Sequence, residues 1–140
     1  MFLLDTNVVS ELRKNQADRH VVKWANSISP ASLYLSAITV LELETGVLRI
    51  ERRDPSQGQL LRNWLEHHVK PAFSGRILPV DTSVAIRCAR LHVPDRSNEC
   101  DALIAATALV HGLTLVTRNI ADFQHSGVNL INPGSLPTPD

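Results

Sequence analysis

Four carboxylates stand among apolar or small residues, where an acid without a task is unexpected. Asp5 directly follows the apolar run Phe2-Leu3-Leu4. Glu42 lies inside Ile38-Thr39-Val40-Leu41-Glu42-Leu43, with the small residues Thr45 and Gly46 three and four positions on. Asp101 opens Asp101-Ala102-Leu103-Ile104-Ala105-Ala106-Thr107-Ala108, and Asp122 comes three residues after Asn119. Two carboxylates about 4 Å apart repel by roughly 4 kcal/mol at an effective dielectric near 20. A cluster of three or four therefore calls for a cation or shared protons. Mg²⁺ and Mn²⁺ take hard oxygen ligands and keep several waters. A site of that kind lowers the pKa of water and holds a phosphate for in-line attack. No Cys/His ligand set points to zinc.

Taken singly, each acid also has an ordinary explanation. Asp5 could cap a helix that begins near Val8. Asp101 could be a first-turn acid favoured by the helix dipole. Glu42 could be a solvated helix residue and Asp122 a loop acid. Glu44 is two positions from Glu42, about 200° round a helix, so both cannot face one site. The neighbours of Glu42 make it the better choice. The constellation is more specific than its members.

The elements that must position these acids alternate short apolar runs with helical patterns. Strands are expected at Phe2–Leu4, Leu33–Ser36, Ile77–Val80, Leu113–Thr117 and Val128–Ile131, the third weakened by Pro79. Helices are expected over 8–13, 19–27, 38–53, 56–73, 82–92 and 98–111, with Pro55 ending the third and Gly112 the last. Asp81 or Thr82 would cap the helix over 82–92. Short buried strands between helices indicate an α/β domain: a short parallel sheet with helices on both faces. In such a sheet ligands bind beyond the carboxyl ends of the strands. Asp5-Thr6-Asn7 and Thr117-Arg118-Asn119 both follow strands and form two candidate walls of a site. Residues 1–133 read as one domain and 134–140, with Pro137 and Pro139, as a surface tail.

Composition narrows the class. The chain has 140 residues, 44% hydrophobic and 20% charged, an ordinary globular balance that excludes predominant disorder and collagen-like or coiled-coil architecture. No run reaches the 18 apolar residues of a membrane span. Met1-Phe2-Leu3-Leu4 stops at Asp5 and lacks a basic start, so no signal peptide is expected, and the expected compartment is the cytoplasm. Fourteen basic residues balance fourteen acidic ones, so no uniform positive field steers a ligand. Eleven of the basic residues are arginine, the side chain best matched to phosphate. Cys88 and Cys100 form no Cys-x-x-Cys pair and read as reduced and partly buried.

Four blocks occur in order: Leu3-Leu4-Asp5-Thr6-Asn7-Val8-Val9-Ser10-Glu11; Ser36 to Leu43 with Gly46; Asp101 to Ala108; and Val116-Thr117-Arg118-Asn119 with Asp122-Phe123. Together they resemble a PIN-domain ribonuclease of the VapC toxin family, near its FitB-like branch, over residues 2 to about 133. The resemblance implies a PIN-like three-layer sandwich with a short central, mostly parallel sheet. It implies a metal-dependent endoribonuclease, the toxin of a type II toxin–antitoxin pair, which hydrolyses RNA phosphodiester bonds with metal-activated water. It implies a homodimer, a cognate antitoxin, and operator DNA bound only through the antitoxin complex, with no membrane partner. The family's acids carry over as Asp5, Glu42 and Asp101, holding one or two Mg²⁺ or Mn²⁺ ions. The fourth position falls on Asp122 with Asn119 as a polar helper, since relatives divide between those two places. Thr6, Asn7 and Thr117 are the supporting hydrogen-bonding residues, and Arg118 is the candidate RNA contact. The loop His92–Cys100 lacks a glycine that many relatives carry, a departure at the substrate-facing edge.

Other features weigh less. Arg49, Arg52, Arg53 and Arg62 could contact phosphates or solvate two helix ends, the latter slightly favoured. No histidines pair at i and i+4, which disfavours a histidine metal site. Trp24, Trp64 and Phe73 fall in helical patterns and are expected to pack rather than to stack on bases. An aspartyl-phosphate phosphatase of the haloacid-dehalogenase type would want an Asp where Asn7 stands and a late lysine. A receiver domain would want a mid-chain Asp and a late Lys. A PIN-like fold kept for binding alone is the non-enzymatic alternative.

Overall fold

A computed structural model describes residues 1–135. The expected C-terminal tail therefore falls mostly outside the described residues; only Gly134 and Ser135 of it are seen, in a turn where Gly134 N–H donates to Asn132 Oδ1 at 2.9 Å.

Five strands form one sheet: β1 (Phe2–Leu4), β2 (Leu33–Ser36), β3 (Ile77–Leu78), β4 (Thr114–Val116) and β5 (Leu130–Ile131). Their order is β3-β2-β1-β4-β5 and every pairing is parallel. The strands are shorter than the apolar runs suggest. β3 ends at Leu78 because Pro79 has no N–H for a further ladder bond. β4 gives up Thr117 to the loop that follows it.

Alternation along the strands assigns the two faces. Leu4, Leu33, Leu35 and Val116 point to one core with Val8, Val21, Trp24, Leu43, Val47 and Leu65. Leu3 and Leu115 point to the other, with Ile104, Ala105, Ala108 and Phe123. The first layer holds α1 (Thr6–Arg13), α2 (Arg19–Ser27), α3 (Ala37–Arg53) and α4 (Pro55–Trp64). The second holds α7 (Glu99–His111), backed by α6 (Thr82–Leu91). The three-layer sandwich follows from period-two strands between period-3.6 helices.

Pro55 does more than end a helix. Asp54 is both the C-cap of α3 and the N-cap of α4, its side chain accepting from Gln57 N–H, and Pro55 starts α4. A proline is tolerated there because a first-turn N–H has no intrahelical partner. The long helix expected over 56–73 widens at Leu65–Val69 and continues through α5 (Lys70–Ala72). Pro71 supplies the reason: its ring would clash with the carbonyl four residues back, and a π turn moves that carbonyl aside. Asp81 caps α6 through Val84 N–H. Gly112 closes α7 at φ 66°, a left-handed conformation that suits glycine. Short 3₁₀ turns at Pro30–Ser32, Ile120–Asp122 and Gln124–Ser126 had no sequence signal in the periodicity.

The aromatic residues pack as expected. Trp24 is buried and meets Phe2 edge-on at 5.3 Å, while Trp64 and Phe73 flank the same core. Cys88 is buried and Cys100 partly so, both reduced.

Candidate active site

β1 and β4 lie side by side with Leu4 opposite Val116. The chain leaves both strands at the same end of the sheet, and Asp5 N–H still donates to Val116 O at 2.8 Å. That register sets Asp5 beside Thr117. The Thr117 hydroxyl donates to Asp5 Oδ2 at 2.8 Å. The other oxygen, Oδ1, accepts from Thr6 N–H at 2.8 Å and so caps α1. Asp5 is thus a helix cap whose second carboxylate oxygen turns towards Thr117. Burial pushes its carboxyl above the usual range, the bonds from Thr117 and Thr6 pull it back, and Glu42 and Asp122 push it up again.

Glu42 comes from α3, which Ser36 caps by accepting from Ile38 N–H at 3.0 Å. Its Oε1 accepts from Thr6 Oγ1 at 2.7 Å. Thr39 Oγ1 is 3.4 Å from the same hydroxyl, so the single proton of Thr6 goes to the nearer, charged oxygen. Glu44 faces away and pairs with Arg62, as a 200° rotation requires.

Asp101 sits in the first turn of α7, where Asn98 caps the helix through Asp101 N–H at 3.0 Å. Ala105 and Ala108 are buried against Leu3 and Leu115 of the sheet, and Ala102 and Ala106 against Val84 and Cys88 of α6, so small side chains on both sides let α7 pack between the sheet and α6. The Asp101 carboxyl is pushed up to about 6, first by burial and then by Asp5, Asp122 and Glu42, with His125 opposing. Glu42 and Asp122 act on Asp5 through their charge, and Asp5, Asp122 and Glu42 on Asp101, so the four acids lie within electrostatic reach of one another.

Asp122 ends a short 3₁₀ turn held down by Phe123, which is buried in the second core. With Asp101, Ser97 and His125 it lines a pocket of about 60 Å³. Asn119 contributes its backbone: its N–H donates to Thr117 Oγ1 at 3.0 Å. Asn7 Nδ2 donates to the same hydroxyl at 3.3 Å, and Asn7 Oδ1 accepts from Arg118 N–H at 3.2 Å. The Arg118 guanidinium turns towards α1 and α2, donating to Glu11 at 3.0 Å and standing 3.6 Å from Asp18.

On the other side of Glu42 a groove of about 380 Å³ runs between α1, α3 and α4, lined by Thr6, Glu42, Arg13, Arg49, Arg53 and Trp64 among others. The arginine cluster is therefore split. Arg62 bridges Glu44, Glu51 and Glu66 and ties α3 to α4. Arg49 and Arg53 face the groove and form no ion pair among the described residues.

The periodicity did not single out Thr39, Glu11 or the pair Ser97–His125. Thr39, fully buried, lies one helical turn before Glu42, a spacing that could have flagged it. Ser97 Oγ donates to Leu91 O at 2.8 Å, so the 2.9 Å contact with His125 is a donation from His125 Nε2. Nothing local in the sequence announces that partner, 28 residues away.

The donor set fits a hard divalent ion. Every acid offers carboxylate oxygen, and burial first, then the charges of Asp5, Asp122 and Glu42, raise Asp101, a penalty that a cation would relieve. Among the described residues, no three acidic, histidine or cysteine side chains close into a cage for an ion.

The PIN domain family model matches residues 2–126. The VapC ribonuclease Y4jK of Sinorhizobium fredii is 38% identical over 138 residues, spanning 95% of this chain and 97% of that protein. Toxin FitB of Neisseria gonorrhoeae is 39% identical over 138 residues, spanning 95% and 98%. Among solved structures, FitAB bound to an IR36 DNA fragment superposes with a TM-score of 0.90 at 36% identity, covering 99% of each chain.

Proposed function

The chain belongs to the PIN domain family, and from that premise we propose that it is a VapC-type toxin, an endoribonuclease dependent on Mg²⁺ or Mn²⁺ and restrained by an antitoxin. The observation that carries the reading is the meeting of Asp5, Glu42, Asp101 and Asp122 beyond the ends of β1 and β4, with Asp101 raised to about 6. Four acids from four segments, at a strand switch point, are a site for phosphate chemistry rather than a stabilising device.

Asp5, Glu42, Asp101 and Asp122 would hold one or two ions. When bound, the metal supplies Lewis-acid charge that acidifies water and neutralises the scissile phosphate. The protein's own part is to hold the carboxylates still. Thr6 fixes Asp5 with its N–H and Glu42 with its hydroxyl. Thr117 fixes the second oxygen of Asp5, and Asn7 and Asn119 orient Thr117. Asp101, half-buried and raised to about 6, would release its proton on taking up a cation. RNA enters as the substrate; a homodimer and operator DNA engaged through the antitoxin complete the assembly. The solved relatives support this assembly: FitAB is bound to an IR36 DNA fragment.

The test is cleavage of labelled RNA by purified, antitoxin-free protein with and without Mg²⁺ or Mn²⁺, beside Asp5→Asn. Discrete metal-dependent cuts with 5′-phosphate and 3′-hydroxyl ends, absent in the variant, are expected. Ends carrying 2′,3′-cyclic phosphate would overturn direct water attack. Equal cutting by both proteins would remove Asp5 from the site.

A further inference from the structure

We propose that Arg118 is a positioning residue that, through Glu11, locks the Thr117 hydroxyl onto Asp5. The inference rests on the nuclease reading above for its catalytic consequence, but its structural core does not.

Thr117 Oγ1 has one proton and two lone pairs. Asn7 Nδ2 and Asn119 N–H occupy the lone pairs at 3.3 and 3.0 Å. The proton is left with one destination, Asp5 Oδ2 at 2.8 Å. Thr117 is fully buried, so no water competes. The orientation of Asp5 thus depends on Asn7 and the 117–119 backbone keeping their places.

Arg118 holds those places from two points one turn apart on α1. Asn7 and Glu11 are four residues apart, on one face of that helix. Arg118 lies along this face: its N–H donates to Asn7 Oδ1 at 3.2 Å and its guanidinium donates to Glu11 Oε1 at 3.0 Å. Its carbonyl accepts from Asn132 Nδ2 at 3.5 Å, and a second guanidinium nitrogen stands 3.6 Å from Asp18 at the cap of α2. One residue therefore joins α1, α2, the β4 exit and the β5 exit.

Glu11 makes the strap costly to release. Its side chain is 7% exposed, and Oε2 has no hydrogen-bond partner among the described residues, Lys14 Nζ lying 3.3 Å away without hydrogen-bond geometry. Swinging Arg118 out to a phosphate would leave a buried carboxylate with that one cation. Glu11 stands on the helix that Asp5 caps and faces the β4 exit. It is the anchor for the arginine that follows Thr117.

The experiment compares the full chain with Arg118→Ala, Arg118→Lys and Glu11→Gln. Three quantities are read: hydrogen exchange of the Arg118 and Asn119 amides without metal, the ¹³C resonance of the Asp5 carboxyl without metal, and Mn²⁺ affinity by electron paramagnetic resonance. Kinetics on an RNA substrate are added. Positioning predicts amide protection lost at least tenfold, a shifted Asp5 resonance, and Mn²⁺ bound on the order of ten to a hundred times more weakly in Arg118→Ala. It predicts kcat lowered at least tenfold with KM within twofold, Glu11→Gln changing in the same direction, and partial recovery in Arg118→Lys. An RNA contact would instead raise KM, flatten the salt dependence and leave Glu11→Gln neutral, and that result overturns the proposal. A lower melting temperature with the Asp5 resonance and Mn²⁺ affinity unmoved overturns it equally. If Arg118→Ala does not fold, the near-isosteric Glu11→Gln decides by the same readouts. A wild type that neither binds Mn²⁺ nor cuts RNA would sink the nuclease reading, while the two metal-free readouts would still judge the strap.

Discussion

The hydroxyl of Thr6 donates to Glu42 Oε1 at 2.7 Å while the N–H of the same residue donates to Asp5 Oδ1 at 2.8 Å. One threonine thus sets the spacing between an acid at the end of β1 and an acid on α3. Hydrogen bonds to a charged acceptor are worth roughly 1.5–3 kcal/mol. Replacing Thr6 with Val removes the hydroxyl and keeps the shape and the N–H. We expect Mn²⁺ affinity and kcat/KM to fall about tenfold to a hundredfold, with a melting temperature near wild type. Thr6→Ser should recover most of the loss; titration with Mn²⁺ and steady-state cleavage check both.

Asp101 gives a pH dependence of defined sign. Its carboxyl goes from the ordinary 3.8 to about 6 on folding, so between those values the folded protein holds the extra proton. Stability of the metal-free protein therefore gains from this group as pH falls from about 6 towards 4, and the penalty is fully present above about 6. Asp101→Asn should raise the melting temperature of the metal-free protein at pH 7.5, and the gain should vanish near pH 4. Glu51 and Glu66, both lowered by cationic partners, act in the opposite sense in both proteins and cancel in the comparison. A difference independent of pH would refute the assignment.

The proposed fourth position, Asp122 with Asn119 as its helper, is open to test by substitution. Asp122 acts on both Asp5 and Asp101 through its charge, whereas Asn119 is engaged only through its backbone among the described hydrogen bonds, its N–H on Thr117 Oγ1 and its carbonyl accepting from Asp122 N–H at 3.1 Å. Asp122→Asn should weaken Mn²⁺ binding at least tenfold and bring the apparent pKa of Asp101 down, as followed by ¹³C chemical shift. Asn119→Ala should change either quantity less than threefold. The reverse order of effects would exchange their roles.

Gly58 sets the approach of α3 and α4. A Cβ there would lie 2.5 Å from Glu51 Cα, a backbone atom that cannot swing away. Overpacking of this kind costs typically 1–3 kcal/mol. Gly58→Ala should lower stability by about that amount in denaturant unfolding. It should also disturb the groove beside Glu42, because Arg49, Arg53, Leu61 and Trp64 line it from the same two helices.

Much of this architecture was legible from near neighbours. Apolar periodicity placed α3 and α7, and Asp81 caps α6 as its side-chain chemistry suggests, whereas the Ser36 and Asn98 caps were not read from the sequence. These are consequences of interactions within about four residues, which the sequence alone determines. The widening at Leu65–Val69 escaped because the periodicity continues straight through it; only the ring of Pro71 objects.

What remained for the tertiary structure is non-local. Asp5 and Thr117 are joined across 112 residues because parallel pairing of β1 with β4 aligns Leu4 with Val116, and no local pattern encodes that register. Arg118 had acids to choose from on several elements, and its identity suggested phosphate. Its direction was decided by Glu11, a carboxylate that folding buries and that must keep a cation once water has been excluded. The residue types specified the chemistry available; the burial of particular charges decided which of those interactions the molecule makes.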